Sequence, residues 1–165
     1  MRGRKQAKKI LSIDVGLTGA IVSFSHPHSP DKIWDMPVME SEYGKGNVIN
    51  PYFLADIFAE AKEDGASHVY IEQVSAMPNQ GVSSMFKFGS SFGVLQGVSA
   101  GFDLPMTFIT PQRWKKYHNL IGTKKDDARL LAIELFPDHK DNLKRKKDGG
   151  RADALLIGQY AYSLI

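Results

Sequence analysis

Two apolar stretches of the chain are each interrupted by one carboxylate. In Lys9-Ile10-Leu11-Ser12-Ile13-Asp14-Val15-Gly16 the acid is Asp14, and in His68-Val69-Tyr70-Ile71-Glu72-Gln73-Val74 it is Glu72. A lone acid in a buried strand is costly unless something pairs with its charge. Each has an ordinary alternative role. Asp14 could cap the turn that Gly16 begins, and Glu72 could pair with a lysine. A third acid, Asp153, stands among small and apolar neighbours in Gly149-Gly150-Arg151-Ala152-Asp153-Ala154-Leu155. There it could simply complement the N-terminal dipole of a helix. Asp148, five residues earlier, is equally a candidate fourth ligand and an ordinary loop acid.

Neighbouring strands lie about 4.8 Å apart. If the strands carrying Asp14 and Glu72 are neighbours, their carboxylates converge and repel unless a cation lies between them. Mg²⁺ takes oxygen ligands at about 2.0–2.1 Å and keeps several waters. One acid on each of two central strands, with another at a helix start, is the pattern of a two-metal phosphodiesterase site.

The elements that must position these acids follow from periodicity and turn residues. The run from Lys9 reads as a buried strand. Leu17-Thr18-Gly19 turns it into a second, antiparallel strand over Ala20-Ile21-Val22-Ser23-Phe24-Ser25. His26 to Asp31 reads as a loop broken by Pro27 and Pro30. An edge-like third strand follows over Lys32 to Met36, then an irregular crossing from Pro37 to Asn50. Asn50-Pro51 is a helix start, with Asn as N-cap and Pro at the first helical position. Phe53, Leu54, Ile57, Phe58 and Ala61 share one face of that helix, and Gly65 closes it. The strand carrying Glu72 then follows a helix, which predicts that it runs parallel to the first.

A second helix is predicted from Ser83 to Ala100, with glycines at 89, 93, 97 and 101. Glycine costs a helix about 1 kcal/mol relative to alanine. Its recurrence suggests close approach of another backbone: the sheet, a helix or a second subunit. Leu104 to Ile109 is a fifth strand, and Thr110-Pro111 opens a short helix through Trp114 to Tyr117. Thr123 and Asp126 form a capping-box-like start to the next helix, which ends before Pro137. A basic loop spans Asp138 to Gly150, and the last helix spans Arg151 to Leu164. The expected class is α/β: a five-stranded mixed sheet with helices on both faces.

The chain has 165 residues, 42% hydrophobic and 24% charged, and a net charge of +3. That suits a single domain over 1–165 with a basic tail at 1–8. With no cysteine, disulfides and thiolate metal sites are excluded. No apolar run reaches the roughly 20 residues that span a bilayer. The basic N-terminus leads straight into a strand without a signal-peptide core, which predicts an intracellular protein. Positive residues gather at Arg2 to Lys9, Arg113 to Lys125 and Lys140 to Arg151. Basic clusters around an acidic site suit a polyanion, although any one of them alone could be a solvated face. His68, His118 and His139 show no metal-ligand spacing.

Taken in order, Ile13-Asp14-Val15-Gly16, Ile71-Glu72-Gln73 and Arg151-Ala152-Asp153-Ala154-Leu155 resemble motifs of the RuvC family of Holliday-junction resolvases. Phe86-Lys87-Phe88-Gly89-Ser90-Ser91-Phe92-Gly93-Val94-Leu95 is similar to that family's helix after the second acid. Thr110-Pro111-Gln112-Arg113-Trp114-Lys115 and Gly122-Thr123-Lys124-Lys125-Asp126 are similar to its basic region. The resemblance runs from Ile10 to Ala161. It implies an RNase H-like fold, a homodimer, and symmetric nicking of four-way DNA junctions with Mg²⁺ or Mn²⁺, two ions per site. A phage or bacterial source fits it by analogy.

Carried over, Asp14, Glu72 and Asp153 match the metal-binding acids. Gly150 stands where the family often has a fourth, with Asp148 the nearest substitute. Lys115 matches a basic residue beside the scissile phosphate, and Lys124 or Lys125 another. Arg113, Lys116 and Arg151 would hold the phosphate backbone. Asn79 and Gln80, in the loop after the second acid, would probe the junction centre. Met77 or Phe86 could wedge between bases, and both are equally plausible core residues.

Other classes remain open. Asp14-Val15-Gly16-Leu17-Thr18-Gly19 also resembles the phosphate turn of sugar kinases and actin-like ATPases, which need two such domains. A non-catalytic junction-binding protein would keep the fold. RNA-strand-cleaving and transposase-like nucleases share the acidic site.

Overall fold

The computed structural model describes residues 8–73, 75 and 78–165. The basic tail up to residue 7 and the wedge candidate Met77 therefore lie outside the described residues. Strand β1 (Lys9–Asp14) is central. At its end Gly16 takes φ +146°, a conformation that favours glycine, and accepts a 3.1 Å bond from the Gly19 N–H. A side chain at Gly19 would overlap the Asp14 carbonyl, so this tight turn needs glycine there. It feeds β2 (Ala20–His26), antiparallel to β1.

Strand β3 (Ser29–Asp35) pairs with β2 and forms one sheet edge. It begins earlier than predicted. The expected loop from His26 to Asp31 is a tight turn, and Pro30 lies inside the strand, which an edge position tolerates. The crossing also differs from expectation: it contains a hairpin of β4 (Val38–Glu40) and β5 (Asn47–Ile49).

Helix α1 (Pro51–Glu63) starts as expected, the Asn50 side chain accepting from the Tyr52 and Phe53 N–H groups. Leu54, Phe58 and Ala61 are buried, whereas Phe53 is 61% exposed, off the predicted face. Strand β6 (Ala66–Glu72) begins two residues before the predicted start and runs parallel to β1. Helix α2 (Val82–Gly101) follows, then β7 (Met106–Ile109), parallel to β6. The sheet order is β3-β2-β1-β6-β7.

The remaining helices are α3 (Pro111–Tyr117), α4 (Asp127–Leu135) and α5 (Gly149–Tyr162). Helix α4 starts later than the Thr123 signal predicts. The Thr123 hydroxyl instead donates to the Leu120 carbonyl, and the Asp126 carboxylate accepts from Arg129. The expected loop before α5 holds two 3₁₀ turns, Pro137–Leu143 and Lys146–Asp148. None of the described helices is long and apolar enough to cross a membrane.

Strand parity sorts the core into two layers. Leu11, Ile13, Val69 and Ile71 face Leu54 and Phe58 of α1 and Leu95 of α2. Ile10, Val22, Phe24 and Tyr70 face Trp114 of α3, Ala132 of α4 and the apolar side of α5. Burying each large apolar side chain contributes about 1.5–3 kcal/mol. With both faces covered, β1 is the near-continuous apolar run expected of a doubly buried strand.

Helix α5 sits especially close to the sheet. The Ser12 hydroxyl donates to the Ala154 carbonyl at 2.7 Å, and a Cβ at Gly158 would stand 2.6 Å from the Ser12 oxygen. That contact brings the start of α5 over the end of β1. By contrast, a Cβ at Gly89, Gly93, Gly97 or Gly101 would meet nothing within 4 Å. The glycine spacing of α2 thus reflects no backbone approach among the described residues.

Candidate active site

Side chains alternate across a strand, so Asp14 shares a face with Ile10 and Ser12, and Glu72 shares a face with Tyr70. Both acids therefore point to the α5 side of the sheet. The parallel register pairs Ile13 with Ile71, and one further step sets Asp14 beside Glu72. Asp153 enters from the second turn of α5, anchored by the adjoining Ser12–Ala154 bond. Three acids remote in the chain are thereby gathered at one end of the central strand pair.

Their titration reports that gathering. Burial, then the charges of Asp153 and Glu72, push the Asp14 carboxyl well above the usual range. Burial and the Glu72 charge raise Asp153 to about 7. Burial also raises Glu72, against a lowering by its hydrogen bond from Trp114 and by Lys115. As the side chains stand, no group of three or more acidic or histidine side chains among the described residues is close enough together to hold a metal ion. The acids share a field rather than a finished coordination sphere. Half-buried carboxylates opposed by so little positive charge are a hard-oxygen donor set of the kind that takes Mg²⁺ or Mn²⁺.

Lys115 is the cation nearest in effect to all three, since its charge lowers Asp14, Glu72 and Asp153 alike. It projects from α3, and its ammonium lies 5.3 Å from the ring centroid of Trp114. The Trp114 indole N–H donates to Glu72 Oε1 at 2.9 Å. Trp114 is fully buried and was not among the residues singled out from the sequence. Its only sequence cue is a large aromatic immediately before Lys115. Of the lysine pair at 124 and 125, Lys125 is the one whose charge acts on Asp153.

Asp148 does not join the acids, and that expectation is corrected. Its carboxylate accepts from the Arg145 side chain at 2.8 and 3.1 Å and from the Arg145 backbone N–H at 2.8 Å. It caps the second 3₁₀ turn, and these bonds hold its carboxyl below the usual range. Nor could an acid stand at Gly150 in this backbone. A Cβ there would overlap the Thr18 carbonyl oxygen and lie 2.9 Å from the Gly19 Cα.

Arg151 is likewise engaged within the chain. It forks onto Asp35 at 2.6 and 2.7 Å and donates to the Asn142 carbonyl at 3.0 Å. Arg113, Lys116, Lys124 and Lys125 are exposed. Asn79 is exposed at φ +66°, and Gln80 lines a cavity of about 540 Å³ that reaches Gly16 and Leu17. Phe86 is 78% exposed, which removes its core reading. His118 Nε2–H donates to the Leu156 carbonyl at 2.9 Å as a structural partner, and His68 bonds the Thr107 hydroxyl.

No protein-family model matches the chain. The chloroplastic Holliday junction resolvase MOC1 of Chlamydomonas reinhardtii is 35% identical over 153 residues, covering 78% of this chain. The chain spans only 17% of that relative's length. Among solved structures, Thermus thermophilus RuvC in complex with a Holliday junction substrate matches with TM-score 0.60 and 13% identity, covering 95% of this chain and 94% of that one. A second Thermus thermophilus RuvC structure matches with TM-score 0.55 and 15% identity, covering 94% and 95%. The five-stranded sheet and its flanking helices thus define an RNase H-like domain with the RuvC fold. By sequence the chain is a homologue of the Holliday-junction resolvases.

Proposed function

We propose that the chain is a structure-selective endonuclease that resolves four-way DNA junctions by metal-dependent symmetric nicking. The observation that carries this reading is the convergence of Asp14, Glu72 and Asp153 on one sheet face, with Lys115 beside them. Resemblance to a junction resolvase supports the substrate. Asp14, Glu72 and Asp153 would hold Mg²⁺ or Mn²⁺, which when bound supplies water activation and charge stabilisation for phosphodiester hydrolysis.

The chain's own residues do the rest. Lys115 offsets negative charge growing on the phosphoryl oxygens. Exposed Arg113, Lys116, Lys124 and Lys125 hold the DNA backbone, giving salt-sensitive binding. Asn79, Gln80 and exposed Phe86 stand on the loop and helix start beyond the Glu72 strand, where they meet the junction centre, Phe86 as an apolar wedge. Symmetric nicking needs two sites, so a homodimer is part of the proposal, with the open glycine face of α2 as its contact.

A second reading is favoured by one observation. With Gly150 barred from carrying an acid and Asp148 bound to Arg145, only three acids remain, which suits a protein that binds junctions without cutting. A synthetic four-way junction with Mg²⁺ or Mn²⁺ decides between the two. Paired nicks by the wild type, with Asp14→Asn binding but not cutting, support the nuclease. Binding without cutting under either metal supports the binding module.

A further inference from the structure

We infer that Trp114 is a positioning residue that sets both the carboxylate of Glu72 and the ammonium of Lys115. The inference rests on the reading of the three acids as a metal site. Glu72 lies at the last position of β6, where its side chain can take several rotamers. Among the described residues one donor restricts it: the Trp114 indole N–H at 2.9 Å from Oε1. Outer partners of this kind fix the orientation of a metal-binding carboxylate.

The indole can do this because it cannot move. Trp114 is fully buried in the layer between the sheet and α5, and α3 begins at Pro111 directly after β7. The sheet pairs Glu72 with Ile109 across β6 and β7, so a short connection ties the donor to the acceptor's own neighbour. The same ring presents its face to Lys115 at 5.3 Å, within the range of a cation–π contact. A single rigid side chain thus orients an acid by its edge and a base by its face. Phenylalanine or leucine would fill the layer but leave Glu72 without its donor.

Mn²⁺ binding, followed by the electron paramagnetic resonance of the free ion, tests this without relying on turnover. Wild type, Asp14→Asn, Trp114→Phe and a protein carrying the isosteric benzothienyl analogue at position 114 are compared. The analogue removes only the N–H and keeps the ring under Lys115, so it reports on the hydrogen bond even where Trp114→Phe disturbs packing. The expected result is a Mn²⁺ dissociation constant raised about tenfold by the analogue, with an unchanged unfolding midpoint. On Mg²⁺ addition to the wild type the Trp114 indole resonance shifts, while that of Trp34, the second tryptophan, stays in place. Wild-type Mn²⁺ affinity in the analogue protein overturns the inference alone. Absence of Asp14-dependent Mn²⁺ binding in the wild type overturns the metal-site reading and the inference with it.

Discussion

The backbone of α5 at Gly150 rests on the carbonyl oxygen of Thr18, in the turn that follows Asp14. The contact sets how near the start of α5 comes to the end of β1, and so how near Asp153 comes to Asp14. It also bears on the position that resemblance matches to a fourth acid: a side chain at Gly150 has no room beside the Thr18 carbonyl.

Gly150→Asp is therefore expected to destabilise the fold without adding a ligand. Forcing a side chain against backbone costs about 1–3 kcal/mol or more. Chemical denaturation should show that loss, and Mn²⁺ affinity should fall or stay unchanged. Unaltered stability with tighter Mn²⁺ binding would show that α5 can stand off from Thr18.

Asp153 makes stability depend on pH in the metal-free protein. Its carboxyl titrates at about 7 when folded, against an ordinary value of 3.8, so the folded state holds the extra proton. The associated stability is fully present below the unfolded value and is lost as pH rises through about 7, with an upper bound of about 4 kcal/mol. In EDTA, Asp153→Asn should be more stable than wild type at pH 8 and little different at pH 4. Parallel denaturation curves for the two proteins across that range would contradict the shift.

Asp148→Asn should leave Mn²⁺ affinity and junction cleavage close to wild type. Its loss falls instead on stability, on the order of 2 kcal/mol, because the Arg145 pairing is weakened. The Asp148 carboxyl is held low, so its contribution is present above the ordinary carboxylate range and disappears as pH falls through the lowered value. Thermal unfolding at pH 7 and junction nicking measured together separate these effects. A large loss of Mn²⁺ binding would return Asp148 to the metal site.

Lys115→Met keeps length and apolar stem while removing charge. Cleavage of a bound junction should slow by about 10²–10³-fold, the usual cost of one donor to developing charge. Junction affinity should change only a few-fold, since the exposed Arg113, Lys116, Lys124 and Lys125 would still be available to the DNA backbone. Single-turnover nicking against a binding titration distinguishes the two. A rate loss matched by an equal affinity loss would make Lys115 a simple phosphate contact.

Most elements were legible because they depend on near neighbours. The apolar run around Asp14, the Asn50-Pro51 start and the Gly16–Gly19 turn each encode their structure within a few residues. The β4–β5 hairpin escaped because its strands are only three residues each, too short for alternation to register. The second 3₁₀ turn before α5 escaped because Asp148 and Arg145 organise it by a side-chain bond that no periodicity records.

The order of residues alone determined which acids lie on which strand and which face, since a period of two assigns the face once the strand is known. It could not decide which acids meet. That Asp153 joins Asp14 and Glu72 while Asp148 turns to Arg145, that Gly150 has no room for a side chain, and that Trp114 aims its N–H at Glu72 are outcomes of packing between segments far apart in the chain. Such distances are set by how α3 and α5 close on the sheet, so only the tertiary structure holds them.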